Sequence, residues 1–532
     1  MSFLRYDTFC QYLAIVEQSI DVNKYSVEHI HVWPILRTVL CSFLQDDVES
    51  LRYKEKDSKL QSTLDKITNS IHHRFESIRP SIDLTYQIDI SLLNKQSEGV
   101  VDAKSAGKKT VLFIGRTDDY TIKLESGWYA PILDSWYETA QHDYAVLKAE
   151  IFEGQEAGQA ALNLSPRSIS SALIDPFFSS ATPKDVFLLD ALKEKLSLLI
   201  QAVSKFSSEK LGINMKPEPI KEQAESILFS AMSVRNGLKP FLTGLGVNTI
   251  MMGCSYHYIG YGVHWAAAEL SITGVELQHG GIGNHHFGYT HYTSVPRSGY
   301  ILLPKVVNLW GVESAKCILR WLPQNHQYHQ VVIGGKTIVT EKMLDHHFLP
   351  KFQELKQKVC HYQKIVLVSL QNRDYVSLTE NLIIAIKESP QNWLWLIRCH
   401  PLTRRIARAG HDPLRVQQIL TGYGIDNFEV NNSTLLPLDI VLAVSDHHVT
   451  HFSSVYLEAT AHGVPTTFIN LTAKSMFENQ IETEVANLAI APQKIIESIS
   501  NFTPETVFDG PDNHEINIDE GWRNKVLESI VQ

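Results

Sequence analysis

Several features are missing from this 532-residue sequence. Its six cysteines, at 10, 41, 254, 317, 360 and 399, include no CxxC pair. That spacing suits neither a zinc ribbon nor a small disulfide scaffold, so free thiols in a reducing cytoplasm are expected. No run of 18 apolar residues occurs, which leaves no candidate for a membrane-spanning helix. The opening MSFLRYDTFCQYLAIVEQ carries Asp7 and Glu17 around a short apolar stretch, without the charged start, long apolar segment and cleavage site of a secretory signal. A cytoplasmic location is the expectation, with peripheral association at the inner face of a membrane left open. An excess of basic charge is lacking too. The formal net charge is −10 and the pI about 6.1, so bulk charge gives nucleic acid no support as a partner. There is no GxSxG, no Walker loop, no full GxGxxG, no low-complexity tract and no short internal repeat.

What is present is an ordinary globular composition. Hydrophobic residues make up 44% and charged residues 20%, which argues against global disorder. The length fits two or three domains. The first hundred residues read as mostly helical: HVWPILRTVLCSFL is an apolar helix with Pro34 near its start, and SLRYKEKDSKLQSTLDKITNSIHHRFESI suits an exposed one. Residues 96–109 read as a loop, KTVLFIGR as a strand, and TDDYTIKLESGWYAPILDSW as loop material. Residues 187–235 read as two amphipathic helices.

From there strands and helices alternate. NTIMMGC, GVELQ, GYILLP and VVIGGKTIV read as strands, with GVHWAAAELSI and KVVNLWGVESAKCILRWL as helices. MLDHHFLPKFQELKQKVCHYQ reads as a linking helix. A second series then runs KIVLVSLQ, LTENLIIAIKES, NWLWLIRCHP, PLRVQQILTGYG, NFEVNN, LLPLDIVLAVS, HHVTHFSS, VYLEATAHG, VPTTFIN. Alternation of this kind predicts parallel sheets with helices on both faces. The expected architecture is therefore α/β: two Rossmann-like domains facing a cleft, with a helical N-terminal elaboration. Residues 1–340 would form the N-terminal domain and 345–532 the C-terminal one.

In open α/β sheets, ligands bind outside the carboxyl ends of strands. Four loops qualify. The first is QHGGIGNHH, after GVEL. Gly280 and Gly281 allow close approach of backbone N–H groups to a ligand, His279 stands where strand becomes loop, and Glu276 precedes it by three residues. Histidine is the side chain best suited to general-base work near neutral pH, so His279 and Glu276 are the catalytic candidates. The bland alternative is a tight turn with surface histidines. The second loop follows WLIRCHP, where Arg398 and His400 end an apolar strand, Pro401 stops it, and Arg404 and Arg405 follow. Arginine suits phosphate, although a solvated charged turn explains the pattern equally well. The third is THFSSVYLEATAHGVPT. Ser453 and Ser454 sit at a strand–helix junction, where a serine caps and free N–H groups attract anions, and Glu458 lies one turn on, where a carboxylate can accept from ribose hydroxyls. The fourth is VSLQNRDY, with Gln371 and Asn372 at the rim. His285, His286 and His291 cluster without a partner at recognised spacing, so no metal is expected, and the histidine pairs at 72–73, 285–286, 346–347 and 447–448 read as surface or capping residues.

With these loops in place, the chain resembles the GT-B glycosyltransferases of bacterial surface polysaccharide synthesis. The likeness is to the sialyl-, polysialyl- and Kdo transferases of capsule and lipopolysaccharide assembly and, more distantly, to CDP-glycerol polymerases. Those families carry an HP motif and a serine-pair motif, which His400-Pro401 and Ser453-Ser454 match in order and spacing. The resemblance implies donor-nucleotide contacts for His400, Ser453 and Ser454 and puts Glu458 near the nucleotide; Gly280, Gln371 and Arg398 join the donor-binding candidates from their places at the strand ends. It also implies a nucleotide-sugar donor used as substrate, CMP-linked by preference, with no cofactor, and a glycan or lipid-linked glycan as acceptor. It spans residues 245–475. The acidic motif of polysialyltransferases is not matched, TDDY at 117–120 being the nearest. The expected function is transfer of a sugar, in particular a CMP-activated acidic sugar, to a surface glycan. The alternatives are a sugar-nucleotide epimerase of related fold and a non-catalytic glycan-binding assembly protein.

Overall fold

The computed structural model describes residues 6–51, 107–116, 122–124, 127–151, 168–169, 182–283, 286–290, 292–320, 322, 328–344, 346–371, 378–400, 413–501 and 520–531. Of the helix expected over 50–78, residues 52–78 lie outside them, as does the TDDY stretch.

At the N-terminus, helices Tyr6–Ser19 and Trp33–Leu51 flank a tight hairpin of strands β1 (Ser26–Val27) and β2 (Ile30–His31), turned by Glu28 and His29 at positive φ. They pack on two 29-residue helices, Pro183–Leu211 and Pro217–Leu245. The first of these starts at a capping box, in which the Thr182 side chain and the Asp185 carboxylate satisfy each other's backbone N–H. It ends at Gly212, whose φ of +66° a side chain would resist. Its buried stripe, Leu188, Leu192, Leu196, Leu199 and Val203, recurs at three- and four-residue spacing and joins one large apolar cluster with Leu13, Trp33, Leu36, Tyr261 and Trp265.

The first sheet is parallel throughout. It contains β3 (Thr110–Arg116), β6 (Ala145–Ile151), β7 (Ser168–Ile169), β8 (Thr249–Gly253), β9 (Thr273–Leu277), β10 (Val306–Leu309) and β11 (Gln330–Ile333), with β4 (Ile122–Leu124) and β5 (Gly127–Tyr129) forming a separate hairpin. The order is β11-β10-β9-β8-β3-β6-β7. The chain builds outward from β3 to β7, returns to β8, and builds outward the other way. The reversal between β3 and β8 is a topological switch point. Strands such as TIMMG are buried along their whole length, as a sheet covered on both faces requires.

The second sheet repeats the scheme with β12 (Lys364–Ser369), β13 (Trp393–Arg398), β14 (Phe428–Glu429), β15 (His447–Thr450), β16 (Thr466–Phe468) and β17 (Ala486–Leu488) in the order β14-β13-β12-β15-β16-β17. Its switch point lies between β12 and β15. The chain thus forms two Rossmann-like domains with a helical N-terminal elaboration, as expected. No described helix is long and apolar enough to cross a membrane.

Four segments differ from their expectation. GYILLP is no strand: Tyr300, Leu302 and Leu303 turn inward onto the N-terminal helices. The strand is VVNL, taken from the front of the run read as one helix, and the helix proper is Val312–Leu319 after Gly311. Short apolar runs do not reveal their period. The stretch read as loop holds the β4–β5 hairpin and helix Pro131–Ala140, with Pro131 at its first position. Its Asp134 is structural, accepting from the Ala130 N–H and pairing with buried Lys148 at 2.5 Å. His447 and His448 are fully buried on β15, not at the surface.

The C-terminal helix Glu520–Ile530 amends the expected boundary at 345–532. Val526, Leu527, Ile530 and Val531 pack with Val111, Phe113, Leu133 and Trp136 of the first domain, and Lys109 Nζ donates to the Val531 carbonyl at 3.1 Å. In the other direction, Trp310 of the first domain sits among Tyr456, Leu457 and Phe468 of the second.

Candidate functional site

The first wall of the site stands on the carboxyl ends of β8 and β9, beside the switch point. Strand alternation carries Glu276 and Gln278 on one face, and both are 1% exposed. Gln278 is a staple. Its Oε1 accepts from the Trp310 N–H at 2.7 Å, and its Nε2 donates to the Gly280 carbonyl at 2.9 Å and to Ser314 Oγ at 3.2 Å. The glycine loop is thereby held against β10.

Glu276 Oε1 accepts a hydrogen bond from the Tyr289 hydroxyl and lies 3.7 Å from His279 Nδ1. His279 Nδ1 also receives the Cys254 N–H at 3.2 Å and lies 3.4 Å from the Tyr289 hydroxyl, while Nε2 is 3.2 Å from the Tyr256 hydroxyl. A backbone N–H cannot accept, so in the neutral ring Nδ1 holds the lone pair and Nε2 carries the proton toward Tyr256. Tyr256, His286 and Tyr289 complete an aromatic group, with Tyr256 5.0 Å from His286 and 5.4 Å from Tyr289 between ring centroids. Burial, helped by neighbouring His279, pushes His286 down to about 3, so it stays neutral. Beneath Glu276 and Tyr289 lies a cavity of about 20 Å³, lined also by Ser255, Tyr256 and His329. That is room for one water-sized molecule.

The second wall stands on β12, β13 and β15. Ser369 pairs in register with Arg398 on one side and Thr450 on the other, so the loops after all three strands emerge side by side. Gln371 Nε2 is 3.4 Å from Thr450 Oγ1. His400 is half-buried at the end of β13, and Pro401, Arg404 and Arg405 lie outside the described residues. Arg398 has a scaffolding contact: Nη1 donates to the carbonyls of Ser433 and Leu436 at 2.6 and 2.7 Å, fixing the turn between two short helices. Ser453 Oγ accepts from the Val455 N–H at 3.3 Å. Ser454 precedes helix Val455–Ala461 without a capping bond from its side chain, so the local backbone bond falls to Ser453 and the Ser454 hydroxyl stays open.

The two walls meet here. A Cβ on Gly281 would lie 3.1 Å from Ser454 Cβ, and one on Gly280 3.9 Å from Ser454 Oγ. One turn along the same helix, Glu458 Oε1 is 3.1 Å from Lys336 Nζ, a residue of the first domain's last loop. Lys336 also lies 3.7 Å from Asp439 Oδ1, which His462 Nε2 approaches at 3.1 Å. Burial alone would lower the Lys336 pKa, but Glu458 and Asp439 outweigh it and hold the ammonium charged. Burial likewise opposes ionisation of Asp439, and Lys336 overcomes it. Glu458 Oε2 is buried with no hydrogen-bond partner among the described residues. Among those residues no group of three His, Cys, Asp or Glu side chains is arranged to hold a metal ion.

Tyr256, Tyr289 and Lys336 were not singled out from sequence. Tyr256 was within reach, since CSYHY follows strand NTIMMG at the switch point. Tyr289 and Lys336 act from within loops, and only the fold brings them to Glu276 and Glu458.

No family model matches the sequence, and no curated protein does. Solved structures do show similarity of fold. The UDP-GlcNAc 2-epimerase from Neisseria meningitidis bound to UDP-GlcNAc is 13% identical, covering 79% of this chain and 99% of that one with a TM-score of 0.45. The calicheamicin glycosyltransferase CalG4 is 13% identical over 79% and 95%, with a TM-score of 0.43. The glycosyltransferase SnogD from Streptomyces nogalater is 13% identical over 79% and 99%, with a TM-score of 0.43.

Proposed function

We propose that the chain transfers a sugar from a nucleotide-sugar donor to a hydroxyl group of a glycan acceptor. The observation that supports this best is the apposition of Gly280 and Gly281 to Ser454, which joins the carboxyl-end loops of two Rossmann-like sheets in one cleft. Such a cleft suits two substrates, one held by each domain. On the second wall, the open Ser454 hydroxyl, His400 and nearby main-chain N–H groups are suited to the donor phosphates, and Glu458 to a ribose hydroxyl once its contact with Lys336 opens to uncover the buried Oε2. On the first wall, His279 or Glu276 takes the acceptor proton as the acceptor oxygen bonds to the anomeric carbon and the nucleotide phosphate leaves with the bonding electrons. For His279 to act, the ring must exchange its Cys254 N–H contact for the incoming proton or turn Nε2 to the task.

The finer reading carries the donor as a CMP-activated acidic sugar. It places the reaction in capsule or lipopolysaccharide synthesis, with a glycan or lipid-linked glycan acceptor, at the cytoplasmic face of a membrane and without a divalent metal. A thermal-shift panel of CMP, CDP, UDP and GDP tests the donor, since a ligand that binds the folded state alone raises its melting temperature. His400→Ala and the double variant Ser453→Ala with Ser454→Ala should then weaken binding of the preferred nucleotide while the fold persists. No shift with any nucleotide, or unchanged binding in both variants, sinks the donor site. Recovery of an epimeric donor with no acceptor present would favour an epimerase instead.

A further inference from the structure

The N-terminal helices end in a buried ion pair whose spare hydrogen-bonding capacity is spent on a loop of the site. Arg37 and Glu17, 1% and 0% exposed in their side chains, meet at 2.6 Å. Glu17 Oε1 also accepts from Trp33 Nε1 at 2.5 Å. The remaining valences reach across to the stretch that follows the glycine loop. Arg37 Nη2 donates to the carbonyls of Phe287 and Thr290 at 2.9 and 2.6 Å, and Glu17 Oε2 accepts the N–H groups of Thr293 and, at 3.1 Å, Ser294. The Arg37 guanidinium lies 3.9 Å from the Tyr292 ring centroid.

A buried ion pair is a poor device for stability, because an apolar pair of equal volume often does as well. Here it gives hydrogen-bond partners to main-chain groups on both sides of Tyr289. Arginine's rigid fork suits this better than a point charge. Between the tethered positions, Tyr289 reaches the Glu276 carboxylate and the edge of His279.

We propose that Glu17 and Arg37 are positioning residues: they fix residues 287–290 and 292–294 so that Tyr289 holds Glu276 and His279 in their working arrangement. Their role in the reaction rests on the transferase reading; their grip on the loop does not. Two variants separate these. Arg37→Lys keeps the charge and loses the fork. Glu17→Met with Arg37→Leu removes both charges while filling the space, which keeps the chain folded.

Hydrogen exchange, nucleotide affinity, turnover and melting temperature are measured on the full chain. In the double variant the Thr293 and Ser294 amides should exchange faster by on the order of tenfold or more, while amides of β12 and β13 stay protected. Turnover should fall by about 10²-fold, the scale of an ångström's misplacement, with nucleotide affinity unchanged and a smaller loss in Arg37→Lys. Unchanged protection of Thr293 and Ser294 overturns the grip. Wild-type turnover in a variant whose loop amides have become labile overturns the positioning. If the wild-type protein transfers no sugar from any nucleotide, the transferase reading fails, and the exchange measurement still decides the grip.

Discussion

Gly281 stands so close to Ser454 that a methyl group on it would come within 3.1 Å of the serine Cβ. The two residues lie in loops that follow strands of different sheets, so a change in their spacing should change the width of the cleft there. Ser454 would have to give by a few tenths of an ångström, and with it the start of the helix that carries Glu458. Gly281→Ala should therefore reduce turnover and donor affinity together, by on the order of tenfold, with little change in melting temperature because the strain falls on a domain junction and not in a core. Adding Ser454→Gly removes the opposing Cβ and should cancel the effect of the alanine, measured against Ser454→Gly alone. A double variant that shows the full alanine penalty would mean the contact does not set the cleft.

His279 and Glu276 sit in one hydrogen-bonded group with Tyr289. His279→Ala and Glu276→Gln should each lower turnover by about 10²-fold or more, the scale of losing a general base, with a much smaller change in nucleotide affinity. Tyr289→Phe removes the hydroxyl that both share and should fall between these and wild type. If turnover stays near normal in all three, the glycine loop is only a turn.

Much of this arrangement was legible in the sequence because the two strand series alternate regularly and each candidate loop follows a buried apolar strand. KIVLVS and NWLWLIR are continuous apolar runs and HHVTHFSS continues the alternation, so the carboxyl-end rule alone places Gln371, His400 and Ser453 at neighbouring strand ends, although it does not show that His447 and His448 are buried. VVNL was lost because four apolar residues merge with the helix that follows them. An arginine at a strand end looks the same in sequence whether it meets a phosphate or main-chain carbonyls, and the contact of Arg398 Nη1 with the carbonyls of Ser433 and Leu436 is visible only in the fold. The partners of Glu276 and Glu458 come from Tyr289 and Lys336, and no local pattern encodes such pairing. The grip of Glu17 and Arg37 spans 250 residues of chain or more and belongs to tertiary structure alone.

Lys336 is the counter-charge for two carboxylates of the other domain, at 3.1 Å from Glu458 and 3.7 Å from Asp439. Lys336→Met leaves both acids buried without it, and breaking a buried pair by removing one partner costs about 3–5 kcal/mol. Urea denaturation at neutral pH should show a loss on that scale. Lys336→Met combined with Asp439→Asn should recover part of it, because one stranded charge is removed. A loss confined to a few tenths of a kcal/mol would mean that water reaches the group and screens it.

Acid should weaken the fold through its buried histidines before the salt-bridged carboxylates titrate. His264, His447 and His448 are buried, 2%, 1% and 0% exposed, and burial pushes each down to about 3. His448 is neutral between Ser369 Oγ at 2.8 Å and Thr466 Oγ1 at 3.0 Å, and His447 meets Thr467 Oγ1 at 2.8 Å. In the unfolded chain the same rings titrate near their ordinary value of about 6.5. Below that pH the unfolded state binds more protons than the folded one, so stability present in full above it is lost progressively as pH falls toward the folded values. Each fully mismatched group contributes a slope of about 1.4 kcal/mol per pH unit. The salt-bridged carboxylates Asp185, Glu269 and Asp439 are held below their ordinary range, so their contribution is lost only at lower pH. Urea denaturation at pH 7.5, 6.5, 5.5 and 5.0 should therefore show a fall that begins near 6.5 and steepens, and His448→Gln should flatten it by about one group's share. A stability that stays level from pH 7.5 to 5.0 would show that the buried rings take up protons in the folded chain as readily as in the unfolded one.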